Sequence, residues 1–557
     1  MAWSSVMRAC SCVALLLVMA TACSGPQAGT QTNWLRSCEA DAECGGALRC
    51  LCGTCTLPCE DDGASCSSLA GAACVAASEV GATALCGGSS PPTAGLCLAR
   101  CDSALCPDGT ACVGGVCAPL EAATDVVTVD VSTQHQTLVG FGADTGWLTD
   151  EIARHPAAAA LYDALFADSG LNVVRLFNRF DDFGTSDLTT SQAILRAANQ
   201  RSSSPAVLLL TSTSPPATLK ANGSELCSGN LDTCTLARRA DGSFDYPGFA
   251  SHWRAVVEAY AAAGIEPDYI SLQSDPDWIP PASIESDACR FLPAEGEATV
   301  DLNGTSVQVR YPGYVEALAA VKEQLGNLPS APRIMAPDTR SIDAALTYSS
   351  QVDLESVDAI AHHLYETETN PAERDALPVL NELGQRSGLP LFHTGVNVEG
   401  LETAITMHQA LGTLGASIYL QNDLAVSAQL GIPNPTALVA LTETGFVLQD
   451  PYHALRHFAR ETAPGWVRVG ASSERGSVLV TAWQAPAADA LTLVLVNPDA
   501  TTITLQVRFG GWQLGSARVF RTVFPGVERF QELGALAPSG VITLPGQSVV
   551  TIAARAP

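Results

Sequence analysis

Short apolar runs recur along the chain after residue 124, separated by helix-like or polar stretches. Such runs are typical of strands buried on both faces of a parallel sheet. Eight of them alternating with helices predict an α/β fold, a (β/α)8 TIM barrel. In chain order the runs are Thr137–Phe141, Asn172–Phe177, Ala206–Leu210, Tyr269–Gln273, Arg333–Ala336, Val357–His363, Pro390–Thr394 and Ala416–Leu420.

One helix of this region is especially clear. Phe249, Trp253, Val256 and Tyr260 recur at the spacing of a single helical face, and Gly264 is placed to end the helix.

The pattern changes near the C-terminus. Ile503, Leu505, Val507 and Phe509 alternate with polar residues, which indicates a strand with one face in water. Further short apolar runs separated by turn residues predict an antiparallel β-sandwich. Val126–Val131, before the barrel, could pair into it. The other runs are Ser477–Trp483, Leu491–Val496, Ala517–Phe520 and Ser548–Ala553.

Cysteine dominates an early segment, where 14 of the 20 cysteines lie between Cys38 and Cys117. Cys50, Cys52 and Cys55 could be metal ligands, but this segment has no histidine. We therefore favour a small disulfide-rich module over a zinc site. Further on, Cys227 and Cys234 are expected to form a disulfide, with Cys289 free or alternatively paired. No such pattern fixes the connectivity in the module.

The N-terminus has the features of an export signal. A positive charge precedes the short apolar run Val13–Met19, and small residues lead to Cys23. This arrangement resembles a bacterial lipobox with Cys23 as the lipidated residue, and the alternative is an ordinary secretory signal. We expect an exported protein, lipid-anchored to the bacterial outer membrane or cell surface.

Five regions are predicted. They are a signal peptide (1–22), a lipidated tether (23–37), the Cys-rich disulfide module (38–119), the barrel (124–455) and the sandwich (456–557). The net charge of −28 disfavours nucleic acids and anionic membranes as partners. Membrane contact is therefore expected through the lipid anchor only, and the Cys-rich module could contact other proteins.

Polar residues follow the predicted barrel strands, at the end where active sites of such barrels lie. They include carboxylates, histidines and amides, which suit a hydroxyl-rich ligand. The residues are Asp144, Asp275, Asp277, Asp338, His362, His363, Tyr365, Glu366, His393, Gln421, Asn422 and Asp423.

Five segments resemble glycoside hydrolase family 30, whose members are retaining glycosidases with a barrel and a side sandwich. The resemblance runs from about Thr128 to Ala554. The segments are Thr137–Gly142, Ser212–Lys220, Tyr269–Asp277, Ala361–Tyr365 and Tyr452–Trp466.

This resemblance implies two catalytic glutamates, and both are replaced. Asp275 stands at the acid/base position, and Gly395 stands at the nucleophile position. Ser274 replaces an asparagine, and Thr213 and Thr218 replace sugar-stacking tryptophans. The residues that the resemblance implies for substrate binding are Asp144, Trp147, Gln273, Ser274, His363, Tyr365, His393 and Asp423.

Three hypotheses follow. The first is a degenerate glycosidase that binds polysaccharide without cleaving it. The second is an active hydrolase of β-linked glycans that uses Asp275 as the base of an inverting mechanism or a relocated carboxylate. The third is a structural lipoprotein spacer. We expect no cofactor and disfavour a metal site, for which the candidate ligands are His362, His363 and His393 with Asp338 or Glu366. Candidates for a relocated carboxylate are Asp338, Glu366, Glu399 and Asp423.

Overall fold

The computed structural model divides into two compact units, Met1–Ala122 and Ala123–Pro557. The predicted signal peptide and Cys23 lie outside the residues that it describes. None of the described helices is long and apolar enough to cross a membrane. The described residues are 33–36, 38, 40–52, 54–60, 66–69, 71–76, 94–100, 110–113, 116–119, 125–180, 188–302, 304–365, 371–427, 434–526, 528–536 and 539–557.

The N-terminal unit consists of very short strands connected by disulfides. Cys50 and Cys55 both form disulfides, and so does Cys52. None of these three sulfurs is therefore a free thiolate for zinc. Disulfides of this unit include Cys38–Cys50, Cys44–Cys55, Cys59–Cys74 and Cys66–Cys97. The strands are Arg49–Leu51, Thr54–Thr56, Pro58–Cys59, Ala72–Val75, Gly95–Ala99, Thr110–Val113 and Val116–Pro119.

The second unit contains a closed barrel of eight strands, each parallel to its neighbours. The predicted TIM barrel is therefore confirmed. In order, barrel strands one to eight are Gly140–Asp144, Val173–Phe177, Val207–Thr211, Tyr269–Ser271, Arg333–Thr339, Ala359–His363, Leu391–Gly395 and Ala416–Asp423.

The first barrel strand begins later than the sequence predicts. Thr137 ends a preceding strand, Asp125–Thr137, which belongs to the sandwich. The barrel strand starts at Gly140, and glycines stand at 140 and 142 because neighbouring residues leave no room for side chains there. A Cβ atom on Gly142 would overlap the carbonyl of Val173, and one on Gly140 would overlap the Asn172 amide.

The predicted amphipathic helix is present as Tyr246–Ala262. The Asp245 side chain caps it by accepting a hydrogen bond of 3.0 Å from the Gly248 N–H, and Gly264 follows with a φ of +72°. The other described helices of at least five residues with α geometry are Thr149–Arg154, Ala158–Tyr162, Thr189–Arg201, Tyr314–Leu325, Ile342–Ser349, Pro371–Ser387, Gly400–His408 and Asp450–Ala459.

Single helical turns and short strands lie between the main helices and strands of the barrel. Single turns of 3-10 or π helix are Gly146–Leu148, Asp163–Asp168, Ala217–Leu219, Leu354–Ser356 and Gln409–Thr413. The additional strands are Leu226–Cys227, Ser286–Asp287, Gly296–Leu302, Thr305–Tyr311, Ala425–Ser427, Val439–Leu441 and Phe446–Leu448. The predicted Cys227–Cys234 disulfide is formed, and Cys289 is free and buried.

Nine strands form the sandwich. Strands from both ends of the sheet supply one apolar core, which includes Val519, Leu493 and Leu505. The prediction that Val126–Val131 joins this sheet is confirmed, but the strand runs parallel to Ile503–Gly510, whereas the other pairs are antiparallel. In spatial order the strands are Gln531–Ala535, Ser516–Val523, Ser548–Arg555, Ala490–Asn497, Leu479–Gln484, Val467–Ser473, Asp125–Thr137, Ile503–Gly510 and Val541–Leu544.

Candidate functional site

A buried arginine organises the C-terminal end of the barrel. Arg175, on the second barrel strand, is 1% exposed. Its guanidinium lies 2.9 Å from Asp338 Oδ2 and 3.4 Å from Asp144 Oδ2. It also donates to the Thr394 carbonyl (2.9 Å) and to Ser274 Oγ (3.1 Å). Five strands are connected through this one side chain.

Sequence reasoning did not single out Arg175. The available signal was a lone charge inside an otherwise apolar strand, Val173–Phe177. A charge at such a position must be paired to be buried, so a partner carboxylate could have been inferred, although not which one.

Asp338, at the end of the fifth strand, is fully buried, and both of its carboxylate oxygens have partners. Besides Arg175, it accepts a hydrogen bond of 2.6 Å from Thr394 Oγ1 and lies 3.2 Å from His363 Nε2. Burial opposes ionisation, but Arg175 and His363 outweigh it and hold the pKa of Asp338 well below its usual range. This carboxylate is therefore ionised but has no free face for a substrate.

His363 bridges two carboxylates. Its Nδ1 lies 3.0 Å from Asp275 Oδ1, and its Nε2 lies 3.2 Å from Asp338 Oδ1. Burial disfavours the imidazolium, yet Asp275 and Asp338 together raise the pKa of His363 above its ordinary value. The ring thereby connects the position implied for the acid/base to the buried carboxylate.

Asp275 lies after the fourth strand, at the position implied for the acid/base. Its φ of +52° places the backbone in the left-handed region, as does the φ of +64° at Asp338. The Asp275 N–H donates to the Asp338 carbonyl at 3.0 Å, which supports this strained pair. The Asp275 side chain is 18% exposed and also pairs with Arg340 at 3.3 Å.

Aromatic rings surround that contact. The Arg340 guanidinium lies 4.7 Å from the Trp278 ring centroid and 4.8 Å from that of Tyr365. Asp277, two residues from Asp275, accepts from the Arg340 backbone N–H. Burial and the Asp275 charge raise the pKa of Asp277 to about 6.

The position implied for the nucleophile is filled by another residue. A Cβ atom on Gly395 would lie 2.8 Å from the Tyr365 hydroxyl and 3.4 Å from Asn422 Oδ1. That hydroxyl donates to Asn422 Oδ1 at 2.9 Å. A tyrosine–asparagine hydrogen bond thus stands where a longer side chain on Gly395 would begin.

Asp144 and Asp423 lie side by side on the first and eighth strands. Burial raises the pKa of Asp144 to about 7, although Arg175 partly opposes this. Burial also raises the pKa of Asp423, which accepts from Asn434 Nδ2 at 2.7 Å. Asp144 accepts from the Gly146 N–H at 2.7 Å.

Two of the implied substrate-binding residues, Trp147 and Gln273, differ in how far their side chains are exposed to solvent. Trp147 is 49% exposed and packs edge-on against Phe177 at 5.1 Å. Gln273 is buried, and its amide donates to the Thr213 and Ser274 carbonyls. Trp147 is therefore half-exposed at this end of the barrel, whereas the Gln273 amide positions the neighbouring loop.

His393 is not brought to this cluster. Its ring packs against His362 (5.6 Å) and Tyr419 (4.8 Å), and Tyr419 belongs to the core between barrel and helices. Thr394, the next residue, points inward to Asp338. A joint metal site of His362, His363 and His393 does not fit this arrangement, since both nitrogens of His363 face carboxylates.

Two further candidates for a relocated carboxylate are Glu399 and Glu366. Glu399 is exposed and lines a separate cleft with Asp450 and Phe524. Glu366 lies outside the described residues. Within the described part of the chain, the groups of three potential metal ligands close to one another consist of cysteines, which form disulfides.

No protein-family model and no curated protein matches this sequence. Solved structures do match. Xylanase C of glycoside hydrolase family 30 from Talaromyces cellulolyticus is 16% identical, with a TM-score of 0.61 over 77% of this chain and 99% of that one. A subfamily 8 xylanase from Clostridium acetobutylicum is 19% identical, with a TM-score of 0.58 over 77% and 100%.

A conserved exported protein from Bacteroides fragilis is 13% identical, with a TM-score of 0.62 over 77% of this chain and 100% of that one. Likeness at such low identity reports on architecture, and the barrel with its side sandwich agrees in all three. The chain has a glycoside hydrolase family 30-like fold.

Proposed function

We propose that this protein binds glycan at the C-terminal end of its barrel and no longer performs retaining hydrolysis. The observation that carries the proposal is the Tyr365 hydroxyl, 2.8 Å from the position of a Cβ atom on Gly395. A retaining mechanism needs a second carboxyl group about 5–5.5 Å from the first, free to attack the sugar. Gly395 supplies none, and Tyr365 occupies the space.

Two of the neighbouring carboxylates are not placed to replace the missing one. Asp338 is fully buried and bonded to Arg175, Thr394 and His363. Asp144 is 1% exposed, and burial favours its protonated form. Neither presents an accessible carboxylate to an anomeric carbon.

Features suited to sugar binding persist at the same end. Trp147 is an exposed aromatic ring of the kind on which sugars stack. Asp275 and Arg340 offer an acceptor and donors at a partly exposed position. Because similar structures include xylanases, β-linked xylan is the first ligand to test.

The test combines binding and turnover on one panel of β-linked oligosaccharides, measured by calorimetry and by product chromatography. We expect binding without products, and binding about tenfold weaker in Trp147→Ala. Trp512→Ala, which removes a tryptophan of the sandwich, is the matched control and should bind normally. Turnover that Asp275→Ala abolishes would contradict the proposal and support the active hydrolase. Absence of both binding and turnover would also contradict it and favour a structural spacer.

We further propose that the protein is exported and carries its lipid on Cys23. The support is the sequence Ala20-Thr21-Ala22-Cys23 after a short apolar run. Labelling with a fatty-acid analogue in a bacterial host should mark the protein and not Cys23→Ser. Equal labelling of both would contradict lipidation at this residue.

A further inference from the structure

A cleft of about 620 Å³ lies at the opposite end of the barrel from the site described above. Its walls include Leu391 and Ser417, near the starts of the seventh and eighth strands, and Gln136 and Arg468 from the sandwich sheet. In TIM barrels this end usually serves stability rather than chemistry. A charged side chain at this end of the barrel is therefore not explained by catalysis at the other end.

Arg468 has no acidic partner. Its Nε donates to Gln136 Oε1 at 2.8 Å, while neither terminal nitrogen bonds a group in the described part of the chain. The chain carries 57 acidic residues against 29 basic ones. Among the described residues, however, no carboxylate offsets the burial that lowers the pKa of Arg468 to about 10. A half-buried, unpaired arginine in so acidic a protein is costly unless it serves a ligand.

Gln136 holds the Arg468 side chain in place through its own hydrogen bonds. The Gln136 amide donates to the carbonyls of Leu411 (2.7 Å) and Ala416 (3.1 Å). This fixes the carbonyl oxygen that receives Arg468 Nε. The two terminal nitrogens are thereby oriented before any ligand arrives, which reduces the entropic cost of binding.

Two histidines lie within reach of the Arg468 charge. Burial and the Arg468 charge lower the pKa of His408 to about 4, and they lower that of His135 as well. His135 lines the cleft, and His408 bonds Thr481 at 2.9 Å. Neither histidine supplies a counter-charge to Arg468.

We propose that this cleft binds an oxyanion through the Arg468 guanidinium. A planar guanidinium with two free terminal nitrogens matches a carboxylate, sulfate or phosphate. Amide side chains on Gln134, Asn381 and Gln385 line the same cleft, whose volume suits a small ligand. Hydroxyls flanking the anion would find partners there, so the uronate of an acidic glycan fits best, and free phosphate is the alternative source. The inference does not depend on the function proposed for the other end.

The experiment titrates the full chain with trigalacturonate, with its fully methyl-esterified form, and with inorganic phosphate. Arg468→Gln removes the charge, and Arg468→Lys keeps the charge without the planar fork. Arg508→Gln is the matched control, because Arg508 also bonds a glutamine, Gln506, but lies exposed outside the cleft. Thermal unfolding of each variant checks that the fold is retained.

We expect trigalacturonate to bind and its ester to bind at least about tenfold more weakly. Arg468→Gln should weaken trigalacturonate binding about tenfold to a hundredfold, Arg468→Lys should weaken it less, and Arg508→Gln should leave it unchanged. Phosphate binding that depends on Arg468 and equals trigalacturonate in affinity would support the oxyanion site with phosphate as its source.

Three results would overturn the proposal. They are binding that is equal in Arg468→Gln and the parent, equal binding of acid and ester, and no binding of any anion. Trp147→Ala shows at which end of the barrel trigalacturonate binds. If it weakens trigalacturonate binding while Arg468→Gln does not, the anion binds at the other site and the cleft proposal fails alone.

Discussion

The Tyr365 hydroxyl lies 2.8 Å from the point where a Cβ atom on Gly395 would sit. Cβ atoms are not found so close to a neighbouring oxygen, so the glycine and the tyrosine depend on each other. The absence of a side chain at Gly395 and the Tyr365–Asn422 hydrogen bond therefore belong to one packing arrangement.

Gly395→Glu alone should therefore not restore hydrolysis. The new side chain must displace Tyr365, and such overpacking costs about 1–3 kcal/mol of unfolding free energy, measured by chemical denaturation. Gly395→Glu with Tyr365→Phe, which removes the hydroxyl nearest the new Cβ atom, should recover part of that loss. Gly476→Glu, at a glycine with no atom within 4 Å of its Cβ position, is the control and should change stability little. A fully stable, active single variant would refute the steric argument.

Arg175→Met should be strongly destabilising. The substitution leaves Asp144 and Asp338 buried without their shared cation, and breaking a buried pair in this way costs about 3–5 kcal/mol. Adding Asp338→Asn should restore part of the loss. Arg254→Met removes an exposed i,i+4 pair with Glu258 and should cost under about 1 kcal/mol. Equal losses in the two single variants would argue against Arg175 as the organising residue.

Asp144→Asn should change how stability depends on pH. The folded pKa of about 7 exceeds the ordinary value near 4, so between these values the folded state holds a proton that the unfolded state releases. Protein stability should therefore fall as pH rises from about 4 to 7 and level off above 7. The variant lacks this loss, which is at most about 4 kcal/mol. Denaturation curves at pH 5 and pH 8 provide the measurement, and an equal pH slope in both proteins would contradict it.

Reduction should unfold the N-terminal unit before the barrel. Much of its interior is cystine sulfur, with Cys44, Cys55 and Cys97 at most 1% exposed, and small domains of this kind depend on crosslinks. Dithiothreitol should accelerate tryptic cleavage after Arg49, as followed by mass spectrometry. Cleavage after Arg175, inside the barrel, serves as the internal control and should stay slow. Unchanged cleavage after Arg49 would show that the unit does not need its disulfides.

Much of the architecture is readable from the sequence because it depends on local pattern. Continuous apolar runs report strands buried on both faces, and alternation reports the wet sandwich strand Ile503–Gly510. Asp275 and Gly395 follow identifiable strands, and the resemblance to glycoside hydrolase family 30 marks them as the catalytic positions. These features need only the residues within one segment.

Other features were decided by tertiary structure alone. Arg175, Thr394 and Asp338 are far apart in sequence, and only the register of parallel strands makes them neighbours. That register shifts at irregularities between His362 and His363 and near Leu391, which no local pattern reveals. The alternation of side chains along this strand then directs Thr394 to the site and His393 to the helices. The sequence determined which segments form the barrel and that Asp275 and Gly395 stand where the resemblance implies glutamates. Long-range packing determined that Tyr365 lies against Gly395 and that Arg468 lacks an acidic partner among the described residues.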